Sequence, residues 1–398
     1  NGHAYYAFDT PEEIEAQREA FKASGKTFQY DASTRDAMRN SLTLNAADTT
    51  TAREGAYVVR MKIPANELVV VQDIIRGAVT IASNTLDDKV LMKGDGMPTY
   101  HLANIVDDHL MEISHVIRGE EWLPSAAHHV LLYRSFGWAD TMPKFAHLPL
   151  ILKPDGNGKL SKRDGAKFGF PVFPMSWKDE FKGFDEYGFE PQAVINFLAL
   201  LGWNSGSEQE IFSLDELVQR FSLEKITKSG ARFDFNKAKW FNQQYLMAMS
   251  NEALTERLRP AMAEKGYAVS DDFMHTFCSL MKERVIFLTD FLDKGYYFFE
   301  RVKTYDDETI KKKWKPENAE KFDALLPKIE AIEDFNAINL ETTVKEHLHD
   351  AALKPSDLLP MLRIALCGTM QGPAVYDMAA LLGKAETVER LRIGFGRF

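Results

Sequence analysis

Residues 98–152 alternate helical and strand patterns in an order that few architectures satisfy. The spacing predicts a helix over His101–Leu110, a short buried strand at Ile113–Ile117 and an amphipathic helix over Ser125–Phe136. The extended apolar run Leu148-Pro149-Leu150-Ile151-Leu152 follows. Helix, β-branched strand, helix and strand in succession are what a doubly wound parallel α/β sheet produces. Ligands sit at the carboxyl ends of the strands in such sheets. Two segments follow strands directly, Arg118-Gly119-Glu120-Glu121-Trp122 and a loop at Lys159, and both are expected on the same sheet edge.

The second segment, Gly158-Lys159-Leu160-Ser161-Lys162-Arg163-Asp164-Gly165, follows the turn signal Asp155-Gly156-Asn157-Gly158. It places three cations and a hydroxyl in five positions between glycines. Such a loop can fold over a polyphosphate and stabilise a leaving pyrophosphate as charge develops on it. K-x-S-K alone would occur by chance in roughly one chain in ten of this length, and a solvated basic turn has the same composition. Ser161 lies in no G-x-S-x-G elbow and has no triad-like histidine, so a nucleophile is not indicated. Asp107, Asp108 and His109 lack metal-ligand spacing and read as a polar helix end. The absence of G-x-x-x-x-G-K-[ST] and of G-x-G-x-x-G removes P-loop and dinucleotide readings.

A chain of 398 residues is too long for one core, and two to four domains are expected. Its net charge of −10 argues against a small basic nucleic-acid module, though not against local basic patches. With only Cys278 and Cys367 and no CxxC, neither a disulfide framework nor a cysteine zinc site is available. No apolar run approaches a membrane span, so no membrane partner is expected. A surface helix is predicted over Glu12–Ser24, and strands over Tyr57–Ile63, Leu68–Val71 and Gly77–Ile81. Further helices are predicted at Gln192–Trp203 with Gly202 as cap, at Phe212–Phe221 and at Lys237–Met249. Beyond Asn251 nearly everything reads helical, with Phe277, Leu280, Met281, Arg284, Leu288, Phe291 and Leu292 on one long face. The cluster Lys311-Lys312-Lys313-Trp314-Lys315 could bracket RNA, but a solvated helix start with Asp306, Asp307 and Glu308 as counter-ions is favoured.

Several stretches together resemble the bacterial-type glutamyl-tRNA synthetases of class I. These are Pro98–His109, His115–Leu123, Tyr133-Arg134-Ser135-Phe136-Gly137-Trp138 and Lys159–Arg163, in that family's order and spacing. Phe197–Trp203, Lys237–Asn242 and Ala379–Lys384 extend the resemblance over essentially the whole chain. It implies that Lys159-Leu160-Ser161-Lys162-Arg163 is a KMSKS loop, with Lys162 on the ATP phosphates and Lys159 assisting electrostatically. It implies that Arg118 meets the glutamate side chain, that Tyr100 and Asn104 line the same pocket, and that Trp122 packs at the adenylate side. A planar, permanent guanidinium suits that task, because it grips a carboxylate bidentately and disfavours an amide.

The implied fold class is α/β plus all-α, a Rossmann-like class I nucleotide-binding fold with an α+β insertion and a helical anticodon-binding region. The implied domains are an acceptor-stem-binding insertion at 1–97, the second half of the catalytic fold at 98–165, a stem-contact domain at 166–245 and the helical region at 246–398. The implied substrates are L-glutamate, ATP with Mg²⁺ and tRNA(Glu), in a cytoplasmic monomer without zinc. Two departures stand out. No HIGH motif is present, so the first half of the catalytic sheet is expected to be absent and this chain alone inactive. Where some members carry zinc-binding cysteines, this chain has Tyr5–Asp9 and Tyr30–Thr34. The rivals are a tRNA-binding fragment without catalysis and a glutaminyl-tRNA synthetase, which would place β-barrels after the stem-contact region. A short paralogue that glutamylates a modified tRNA base is disfavoured, since it would lack an anticodon domain.

Overall fold

The computed structural model describes residues 2–398, which form two compact units. One contains the chain up to Leu160 together with Ala199–Glu210 and Glu216–Phe233, and the other holds the remainder. Among the described residues the first unit carries nine strands: β1 (Ala4–Ala7), β2 (Val58–Met61), β3 (Leu68–Asp73), β4 (Gly77–Ala82), β5 (Val90–Met92), β6 (His115–Gly119), β7 (Lys144–Leu148), β8 (Ile151–Leu152) and β9 (Ala231–Arg232). Its helices are α1 (Pro11–Ala23), α2 (Ala46–Ala52), α3 (Tyr100–Leu110) and α4 (Leu123–Phe136).

Four strands build the sheet that matters, in the order β4-β3-β7-β6. β3, β7 and β6 run parallel, and β4 turns back antiparallel on β3. Residues before and after position 97 therefore share this sheet. β3 alternates strictly, so Val69, Val71 and Asp73 form one buried row while Leu68, Val70 and Gln72 face out. The row packs with α4, whose Ala126–Tyr133 stretch is buried on every side, and with Ile105 of α3. Gly137 ends α4 in the left-handed conformation that L-residues avoid.

The run Leu148–Leu152 is not one strand. Pro149 has no N–H to donate, so β7 ends at Leu148 and β8 joins β9 in a separate two-stranded sheet. The Lys159 loop thus follows a different sheet from Arg118, contrary to the single edge expected.

The second unit is helical. After α5 (Asp164–Phe168) and α6 (Pro191–Ala199) the chain passes through α7 (Leu214–Arg220), whose residues from Glu216 on belong to the first unit, to α8 (Phe235–Ala248), α9 (Asn251–Lys265) and α10 (Asp271–Met281). Then come α11 (Leu288–Lys294), α12 (Asp307–Lys313), α13 (Ala319–Asp323), α14 (Leu325–Glu330), α15 (Ala337–Asp350), α16 (Pro355–Cys367), α17 (Val375–Leu382) and α18 (Lys384–Arg397). One apolar core, from Leu246 to Phe395, joins the helices from α8 onward. No helix among the described residues is long and apolar enough to cross a membrane.

Three helical expectations change. The helix from residue 191 stops at Ala199, because Trp203 leaves it to bridge Ile226 and the Gly202 carbonyl accepts the Thr227 N–H at 2.7 Å. The long face from Phe277 is broken between α10 and α11. There the Asp290 carboxylate accepts the amides of Ile286 and Phe287 (2.8 and 3.1 Å), which a continuous helix would have used. Lys311–Lys313 end α12 rather than begin it, with Asp306 as the cap at the opposite end, an arrangement the helix dipole favours. Trp314 packs on Phe322 and Phe398 and is a partly buried ring against the helical core.

Gly368 closes α16 at φ 77°, and a Cβ there would meet the Thr304 carbonyl oxygen and a Val302 methyl, each at 2.6 Å. Gly368→Ala should cost about 2–4 kcal/mol, from left-handed strain and overpacking together. A lowered urea midpoint with unchanged slope is the expected reading, and an unaltered midpoint contradicts it.

Candidate active site

Arg118 stands near the carboxyl end of β6, in direct register with His147 of β7. Its Nε donates to His147 Nε2 at 3.1 Å, and Nη1 reaches the Tyr100 hydroxyl and His129 Nδ1, both at 3.4 Å. Nη2 is buried yet has no hydrogen-bond partner. A buried, unpartnered guanidinium nitrogen is costly unless a ligand completes it, and a carboxylate is its natural complement. The rings beside it are partly exposed: Tyr100 is 48% exposed and lies 5.1 Å, centroid to centroid, from Trp122, which is 40% exposed.

The histidines around Arg118 add no charge at neutral pH. Burial, then the Arg118 charge, pushes His129 down to about 3, and burial above all pushes His101 down to about 4. His129 Nε2 and His101 Nδ1 are 3.2 Å apart, a contact that one proton can bridge. Burial also lowers His147, against the opposing pull of its bond to Asp73. A permanent cation thus faces the opening from a wall of neutral rings.

Of the residues singled out from the sequence, Tyr100, Arg118 and Trp122 come together. Asn104 lies one turn after Tyr100 on α3, where its amide donates to Asp108 Oδ2 at 3.1 Å and its own carbonyl oxygen is buried without a partner. Burial raises the Asp108 carboxyl. Lys159 pairs with Glu121, which joins its loop to the turn carrying Trp122. In the loop, Leu160 N–H donates to the Ile151 carbonyl at 2.8 Å, and Gly156 and Gly158 take positive φ.

Ser161–Arg163 belong to the second unit. There the buried Asp164 accepts from both Ser161 Oγ and Ser161 N, at 2.6 and 2.7 Å, and α5 starts at once. Lys162 is exposed, with no carboxylate within 4 Å among the described residues and the Phe173 ring 5.8 Å away. Sequence reasoning missed His147, His129 and Asp73. The one signal for Asp73 was a carboxylate in the inward row of an alternating strand.

Comparisons with known proteins show the family. Residues 1–240 match the family model described as tRNA synthetases class I (E and Q), catalytic domain, and residues 253–395 match an anticodon binding domain. A glutamate–tRNA ligase of Phocaeicola vulgatus is 53% identical over 98% of this chain and 78% of its own length. One from Porphyromonas gingivalis is 50% identical with the same coverage. The crystal structure of a glutamate tRNA ligase from Elizabethkingia meningosepticum in complex with its amino acid superposes with TM-score 0.89 at 45% identity, covering all of this chain and 80% of that one. After β9 no strand follows among the described residues, so the β-barrels expected of a glutaminyl enzyme do not appear. By identity, coverage and fold, the chain belongs to the glutamate–tRNA ligase family of class I aminoacyl-tRNA synthetases.

Proposed function

We propose that the chain serves as a glutamate–tRNA ligase: L-glutamate and ATP give glutamyl-adenylate and pyrophosphate, and the glutamyl group then passes to the 3′ end of tRNA(Glu). The observation that carries this reading is the half-satisfied guanidinium of Arg118, buried at Nη2 and open beside Tyr100. It would bind the γ-carboxylate, with Tyr100 and Asn104 lining the pocket. Trp122 and the loop Lys159-Leu160-Ser161-Lys162-Arg163 would face ATP, which arrives as its Mg²⁺ complex. The metal would offset part of the triphosphate charge. Lys159 and Lys162 would act by charge, and no general base is assigned, because catalysis here is positioning plus electrostatics.

In this reading residues 1–97 clasp the acceptor end, 98–165 hold the substrates, 166–245 contact the stem and 246–398 bind the anticodon region of tRNA. The protein would act as a cytoplasmic monomer. ATP–pyrophosphate exchange with glutamate and tRNA, followed by tRNA charging, tests the proposal in the protein that carries this chain. Exchange dependent on glutamate is the expected result. Tight tRNA binding without exchange or charging would replace it with a binding role, and preferential use of glutamine would move it to the glutaminyl class.

A further inference from the structure

Arg118 is held by residues that cannot reach its ligand. His147 Nδ1 lies 2.6 Å from Asp73 Oδ2, and both side chains are fully buried. Asp73 accepts three further hydrogen bonds, from the backbone N–H groups of His147 (3.0 Å), Ile75 (3.0 Å) and Arg76 (2.8 Å). All four lone-pair directions of the carboxylate are thereby taken, so it has one orientation. A carboxylate on Nδ1 requires the proton there, which leaves the lone pair on Nε2. That lone pair is what accepts the Arg118 Nε–H at 3.1 Å.

The consequence lies in which edge of Arg118 remains. A guanidinium grips a carboxylate through Nε with Nη2, or end-on through both Nη atoms. With Nε taken by His147, the side-on edge is closed; of the end-on pair, Nη1 makes only long contacts of 3.4 Å to the Tyr100 hydroxyl and His129 Nδ1, and Nη2 has no partner. A second tie holds the frame: Arg76 donates to the His147 carbonyl at 3.3 Å and pairs with Glu120 at 2.5 Å, while Glu120 accepts the Leu150 amide at 3.1 Å.

We propose that Asp73 and His147 are positioning residues that fix the Arg118 fork end-on and so set glutamate affinity without touching glutamate. The proposal rests on Arg118 being the receptor for the γ-carboxylate. It differs from a packing role, because it needs an acceptor at the His147 Nε2 position rather than merely volume.

The test is the glutamate KM and the ATP KM in tRNA-dependent exchange, measured for Arg118→Ala, His147→Leu, His147→Gln and Asp73→Asn. Leucine fills the site but accepts nothing, and should raise the glutamate KM by roughly ten- to a hundredfold, the worth of one hydrogen bond to a charged group. The ATP KM should move by less than about twofold, since nothing on the ATP side has changed. Glutamine restores an acceptor near Nε2 and should recover most of the loss. Equal glutamate KM values for the leucine and glutamine variants, or a parallel rise in both KM values, would overturn the proposal. Should the leucine variant not fold, Asp73→Asn decides: an unchanged glutamate KM in that folded variant overturns the proposal too. Arg118→Ala separates the two ideas. If it leaves the glutamate KM alone, the reading of Arg118 fails. If it raises that KM while the His147 variants do nothing, only the positioning role fails.

Discussion

Arg118→Ala is expected to raise the glutamate KM by roughly a hundred- to a thousandfold, with the ATP KM nearly unchanged. Truncating one partner of a buried, hydrogen-bonded charge pair costs about 2–5 kcal/mol, and each 1.4 kcal/mol is tenfold. The low end of that range is excluded because the neighbours offer no replacement cation. His101 and His129 are held neutral by burial, and the Tyr100 hydroxyl provides only a dipole. Fold stability should fall by about 1–3 kcal/mol, because the buried His147 Nε2 is left without its donor. Preference for glutamate over glutamine should shrink as well, because an amide loses nothing from the missing charge while a carboxylate loses its counter-ion. A glutamate KM within about threefold of the unaltered enzyme would remove Arg118 from the pocket.

Arg118 stood out in the sequence for a local reason, a cation expected directly after a buried strand of a parallel sheet; β6 is instead an edge strand with none of its residues buried, and Arg118 lies within it. Its support was not legible, because Asp73 and His147 lie 74 residues apart and meet only through the placement of β3 beside β7. Neither hydrophobic period nor turn chemistry specifies which non-consecutive strands are neighbours. The same limit explains the misread boundaries. Pro149 divides an apolar run that looks continuous, and the break after Met281 depends on Asp290 capturing two amides. The lysine cluster around Trp314 was read as a solvated helix start, yet the Trp314 ring packs on Phe322 and Phe398, which come from later in the chain. Element types followed from local pattern, whereas element ends and partners followed from tertiary contacts.

Lys162→Ala should show the opposite kinetic split from Arg118→Ala, lowering kcat for exchange by roughly a hundred- to a thousandfold and leaving the glutamate KM within about twofold. The two lysines of the loop are not equivalent. Lys159 is already paired with Glu121, whereas Lys162 has no carboxylate within 4 Å among the described residues. An exposed, unpaired ammonium on a four-carbon stem keeps its full charge for an incoming polyphosphate and can follow it as the bond to the α-phosphate breaks. The residue before it does not share this freedom, because Ser161 is tied through two hydrogen bonds to the buried Asp164. The loop thus has an anchored base and a mobile charge, which suits a group that must act in the transition state more than in the ground state. Lys162→Arg keeps the charge with a different shape and should recover part of the rate. Because the side chain is exposed, the alanine variant should melt within a degree or two of the unaltered protein, as surface changes usually stay within about 0.5 kcal/mol. An alanine variant that exchanges at the full rate would mean that the loop closes over ATP without Lys162, and the charge would then have to come from Lys159 released by Glu121, testable as a rate loss in Lys159→Ala.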